Sequence, residues 1–194
     1  PMAPRQLFPT QRTPYPRSAG AREEHAVPRP RTPITPLLLQ AGGHSTLNNF
    51  DCLPNLIRLE VRGLIRCDNI EGLEGAPLLT SLTLEENPVL RIIKGLEGLK
   101  ALQDLSLQGC PKMTLPASIT TVTTLKDLNL GGIIIPSLAP LLTLHKLISL
   151  DISFSQGLQD VSPLGSLPAL RQLRAQGLPD TCGWVSFARC HVEI

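Results

Sequence analysis

Aromatic side chains are nearly missing from this chain. They make up 3% of 194 residues, with one Trp, one Tyr and four Phe, although 42% of the residues are apolar. A core built around a few large rings is therefore excluded, and the interior falls to Leu, Ile and Val. No apolar run approaches the ~20 residues that cross a bilayer, so no membrane contact is expected. No apolar segment of a secretory leader stands near the start either. Catalytic signatures are absent as well: there is no G-x-G-x-x-G, no phosphate-binding loop, no H-E-x-x-H and no nucleophile elbow. His25, His44 and His145 have no nucleophile or carboxylate at a motif spacing. An enzyme, a cofactor and a small-molecule substrate are therefore not expected.

The five cysteines, at 52, 67, 110, 182 and 190, contain no C-x-x-C pair. Their count is odd and no secretory signal accompanies them, which points to free thiols in a reducing compartment. Cys182, Cys190 and the adjacent His191 lack the second half of a zinc set, so no metal site is expected.

Charge is low overall, +2, but unevenly spread. Residues 1–36 hold six arginines, Arg5, Arg12, Arg17, Arg22, Arg29 and Arg31, against Glu23 and Glu24, which gives +4. The remainder holds twelve Lys and Arg against fourteen Asp and Glu, which gives −2. The basic part, residues 1–33, is rich in Pro and shows no apolar period, so it is expected as an extended arm. Its chemistry suits a polyanion such as RNA, or the surface of partner proteins. The first 22 residues carry arginines and no acids, which favours a mitochondrial over a cytoplasmic address; their prolines oppose the amphipathic helix such an address needs. The sequence opens at Pro rather than Met, and a further segment is expected upstream.

What is abundant is leucine in a frame. Leu102, Leu105, Leu107 and Cys110 read L-x-x-L-x-L-x-x-C. The frame returns 23 residues earlier as Leu79, Leu82, Leu84 and Asn87, and 23 later as Leu125, Leu128, Leu130 and Ile133. Further copies are Ile34, Leu37, Leu39; Leu56, Leu59, Val61, Leu64; Leu147, Leu150, Ile152, Ser155; and Leu170, Leu173, Ala175, Leu178. Gly-Leu-Glu-Gly recurs verbatim at 72–75 and 95–98. Seven frames at a spacing of 22 or 23 residues mean stacked layers, each a short strand followed by a return path. Gly and Pro along that path (Gly95, Gly98, Pro116, Pro136, Pro163) favour turns and 3₁₀ pieces over long helices. A polar ninth residue can bond backbone groups in the turn. Leu64, Ile133 and Leu178 cannot, and must fill that place by packing.

These residues resemble the leucine-rich repeat family, in the short class of intracellular phosphatase-1-regulatory subunits. The stretch Asp160-Val161-Ser162-Pro163-Leu164 is similar to internalin repeats. The resemblance implies an α/β solenoid, a right-handed horseshoe of about seven short parallel strands with turn and 3₁₀ return segments, over residues 34–180. It also implies protein–protein recognition through the concave face. Residues 181–194, with Trp184 and Phe187, are expected to cap the last layer, and His-Val-Glu-Ile at the end can add one more strand.

In this register the concave face shows three columns. The charged members are Arg58, Asp104 and Asp127; then Glu60, Asp151 and Arg174; then Arg62 and Glu85, with Glu86 beside them. Acids hold the middle, so a protein-binding surface for a basic peptide or helix is expected there rather than nucleic acid. A merely solvated sheet face stays open as the alternative. Two functions remain at this level. One is a non-catalytic scaffold subunit of a large, ribosome-like ribonucleoprotein assembly with its arm threaded on RNA or partner proteins, which the arm's charge favours. The other is a free regulatory or adaptor module holding one protein client in its concave face.

Overall fold

The computed structural model describes residues 37–40, 46–48, 50, 53–179 and 190–193, all within the compact unit Arg31–Ile194. The six arginines of the arm, and Trp184 and Phe187, lie outside the described residues.

Each frame becomes one strand of a parallel sheet. The strands are β1 (Leu37–Gln40), β3 (Arg58–Arg62), β5 (Ser81–Thr83), β7 (Asp104–Ser106), β8 (Asp127–Asn129), β9 (Ser149–Asp151), β10 (Gln172–Arg174) and β11 (His191–Glu193), paired in that order. The register places Leu59, Leu82, Leu105, Leu128, Leu150 and Leu173 side by side. These six leucines are at most 2% exposed: the strand period of two drives one residue inward and turns its neighbours to the outer face, where Ser81 alone among the flanking residues of these strands is also buried. β11 pairs with β10, Val192 beside Leu173, and carries the sheet to an eighth strand, one more than the seven frames.

The return path differs between the early and late layers. Early on, β2 (Thr46–Leu47), β4 (Asn69–Ile70) and β6 (Ile92–Ile93) form a second, three-stranded sheet. Three-residue 3₁₀ turns follow at Leu73–Gly75 and Leu96–Gly98. In later layers that sheet is reduced to single bridges linking Thr114, Ile134 and Gln156. The 3₁₀ turns lengthen to five residues at Ala117–Thr121, Ala139–Thr143 and Ser162–Ser166. Pro140 and Pro163 sit in the first turn of the last two, where a missing N–H costs nothing. The hydroxyls of Thr121, Thr143 and Ser166 each donate to the carbonyl three residues back, at 2.8, 2.9 and 2.8 Å, and close the turn. Each of these five 3₁₀ turns sends one aliphatic residue inward: Leu73, Leu96, Ile119, Leu141 and Leu164 are all fully buried.

The repeated Gly-Leu-Glu-Gly has a steric reason. A Cβ at Gly95 would lie 2.7 Å from the Leu73 backbone nitrogen, and one at Gly98 would lie 2.6 Å from Glu74 Cα. The second copy is thus where one layer's 3₁₀ turn rests on the turn before it, at a distance only glycine permits.

Candidate interaction surface

Two places in each turn position the outer face. The first is the ninth residue of the frame. Asn87, 1% exposed, accepts a hydrogen bond from the Leu64 N–H at 2.8 Å and donates to the Val61 carbonyl at 3.0 Å. Cys110 donates to the Leu84 carbonyl at 2.9 Å, and Ser155 to that of Leu130 at 3.1 Å. Each side chain therefore stitches its own turn to the layer before it. Burial pushes the Cys110 thiol up to about 11, which keeps it protonated and able to donate. Ile133 brings no donor; it is fully buried and fills the place by packing, as do Leu64 and Leu178. Cys67, Cys110 and Cys190 are free thiols, while Cys52 and Cys182 lie outside the described residues.

The second place is the eighth residue, which takes a left-handed backbone in every frame from 56 to 178. The φ values are 66° at Gly63, 55° at Glu86, 72° at Gly109, 77° at Gly132, 57° at Phe154 and 71° at Gly177. Four of these six are glycine, as sterics favour. Glu86 and Phe154 are not, and each bears a cost of roughly 1–2 kcal/mol. Both are exposed, Phe154 at 64%.

The register brings the expected columns together. Arg58, Ser81, Asp104, Asp127, Ser149, Gln172 and His191 stand side by side, as do Glu60, Thr83, Ser106, Asn129, Asp151, Arg174 and Glu193. The third column follows from backbone bonds of Gly109 to Gly131, Gly132 to Ser153 and Phe154 to Gln176. Charges within the face are partly spent on one another. Arg62 pairs with Glu60 and, at 2.9 Å, with Glu85, which also accepts from the Ser106 hydroxyl at 2.7 Å. Arg174 holds Glu193 at 2.9 Å.

What these pairs leave is Asp104, Asp127 and Asp151, none of which forms an ion pair among the described residues. Asp151 is turned partly to its own strand end and accepts from the Ser153 N–H at 2.8 Å. Asp104 and Asp127 face each other from neighbouring strands. Partial desolvation in the groove, and then the charge and hydrogen bond of Asp127 beside it, raise the largely exposed Asp104 carboxyl above the ordinary carboxylate range; Arg58 and Lys126 pull the other way. All three aspartates line a shallow groove of about 190 Å³ with Glu85 and Arg174. Glu86 stands on the rim instead, its side chain over Gly109.

Neither a family model nor a curated protein matches the sequence. Solved structures do. An internalin (inlF) of Listeria monocytogenes superposes with a TM-score of 0.54 at 17% identity, over 74% of this chain and 49% of that one. Internalin C2 of the same organism gives 0.50 at 24%, over 81% and 79%. A leucine-rich repeat protein of Leptospira interrogans gives 0.51 at 17%, over 68% and 42%. This chain has the leucine-rich repeat fold. It spans about half the length of the inlF chain, and at these identities the likeness is one of fold.

Within the leucine-rich repeat frame, Phe154 is the site residue that reading the columns misses. The signal was available in the sequence: the residue before the ninth place is Gly in four of the seven frames, and Ala41, Glu86 and Phe154 depart from it, Phe154 by the largest apolar side chain.

Proposed function

We propose that the described body is a non-catalytic protein-interaction module whose concave face receives a basic segment of a partner protein. The observation that carries this reading is the pair Asp104 and Asp127. Like charges directly opposite across a sheet are destabilising. These two are adjacent, exposed and without an ion pair among the described residues. A cationic partner would remove that cost on binding, and the central acids would turn away polyanions.

The test is fluorescence anisotropy with a labelled nona-lysine peptide and a nona-glutamate control. Wild type should bind the lysine peptide alone, with affinity falling as salt rises. The double charge reversal D104K/D127K should lower that affinity at least about tenfold, the scale of one or two close charge pairs. Equal binding by the reversed variant removes the reading.

A second reading is favoured by the +4 on the Pro-rich arm. In it the same body is a fixed subunit of a ribonucleoprotein assembly, the arm lies on RNA, and the location is mitochondrial. Removing residues 1–33 should then weaken retention on immobilised RNA and flatten its salt dependence, because each arginine–phosphate contact releases condensed counterion. An unchanged salt slope removes this second reading and leaves the first.

A further inference from the structure

We infer that Phe154 is the specificity anchor at the rim of the acidic face, a ring placed to stack on an arginine side chain of the basic partner segment. The inference rests on the proposed reading of that face and names which cation it selects.

The argument begins with position. Phe154 occupies a left-handed slot that glycine holds in four of the six frames, and it is 64% exposed. Burial therefore does not account for a large apolar ring there. One edge of its ring takes the space a side chain at residue 177 would need: a Cβ at Gly177 would lie 2.5 Å from Phe154 Cδ1 and 2.7 Å from Cε1, so the ring edge packs on the bare backbone of the next layer. Most of the ring's remaining surface is open to solvent. The ring thus rests by one edge on Gly177 and leaves most of its surface accessible.

Charge then selects the guest. Asp151 lies three residues before Phe154 in the same layer. Arg174, opposite Asp151 in the register, is held by Glu193. A guanidinium is the cation suited to such a pair, since its planar face stacks on an aromatic ring while its edge donates to a carboxylate. A lysine ammonium meets the carboxylate equally well but stacks less well.

The experiment compares labelled nona-arginine with nona-lysine on the full chain, for wild type, F154G and F154L. Phe154→Gly installs the residue found at the other slots, so thermal stability should hold or rise. Phe154→Leu keeps apolar bulk and removes the ring. Wild type should prefer the arginine peptide, and both variants should lose about two- to fivefold of that preference, the scale of an exposed cation–ring contact, while lysine-peptide affinity stays within twofold. An arginine-to-lysine ratio unchanged in either variant overturns the role of Phe154 and leaves the acidic face standing. Wild type binding neither peptide overturns the acidic-face reading and this inference together.

Discussion

Each strand has two faces, and they obey different rules. The inner face repeats one solution in every layer: Leu59, Leu82, Leu105, Leu128, Leu150 and Leu173 in register, all buried. The outer face keeps no single residue type, and runs Arg58, Ser81, Asp104, Asp127, Ser149 and Gln172 along the same strands. The inner face is constrained by neighbours above and below, so any departure opens a gap or a clash. The outer face meets solvent, and its variety is free for recognition. Stability and function are thus separated by a single residue step.

The step can be tested at its narrowest. Leu105→Ala deletes a side chain 2% exposed and should cost about 2–5 kcal/mol, since stacked layers on both sides limit collapse around the cavity. Ser106→Ala, next along the chain, removes only the hydroxyl that bonds Glu85 and should cost less than about 1 kcal/mol. Denaturant melts of the two variants decide the matter; equal midpoints would mean that the faces are not separated as drawn.

Asn87 probes the seam between the faces, where a polar side chain is fully inside. Asn87→Ala should cost about 2–4 kcal/mol, because it strands the Leu64 N–H and the Val61 carbonyl, two backbone groups with no route to water. Cys110→Ala should cost less, as it gives up a single weak thiol donor. Thermal melts that rank Cys110 above Asn87 would contradict the stitching role.

How much of this was legible beforehand follows the same division. The ladder could be read from leucine spacing alone, because a period of 22 or 23 with inward residues two apart admits one register. The three outer columns came with it. The 3₁₀ turns followed from Gly and Pro on the return path. The second sheet of β2, β4 and β6 did not, since two-residue strands such as Asn69–Ile70 carry no period. Nor did the partial cancellation of the groove's charge by Arg62, because which acid a long side chain reaches is a matter of rotamers rather than of sequence spacing. Phe154 could have been found, but only by reading the eighth place for its backbone conformation instead of its polarity.

The smallest expected effect is the most telling for function. Asp104 is raised by partial desolvation and by Asp127, so its charged form is disfavoured in the folded state relative to the unfolded chain. Above the raised folded value the carboxylate is ionised in both states and the fold carries the penalty. As pH falls through the raised folded value toward the ordinary carboxylate range, the folded state takes up its proton first and the penalty is relieved. Asp104→Asn should therefore stabilise the protein slightly at neutral pH, by less than about 1 kcal/mol, and the gain should fade as the medium is acidified. Asp127→Asn removes the same repulsion, so the double variant should gain less than the sum of the two. Scanning calorimetry at neutral and acidic pH checks both points; a lower melting temperature for Asp104→Asn at neutral pH would show that Arg58 and Lys126 outweigh Asp127. The same substitution should weaken binding of a basic peptide. A change that steadies the fold while loosening the complex is what a recognition face predicts, and no inner-face substitution should do both.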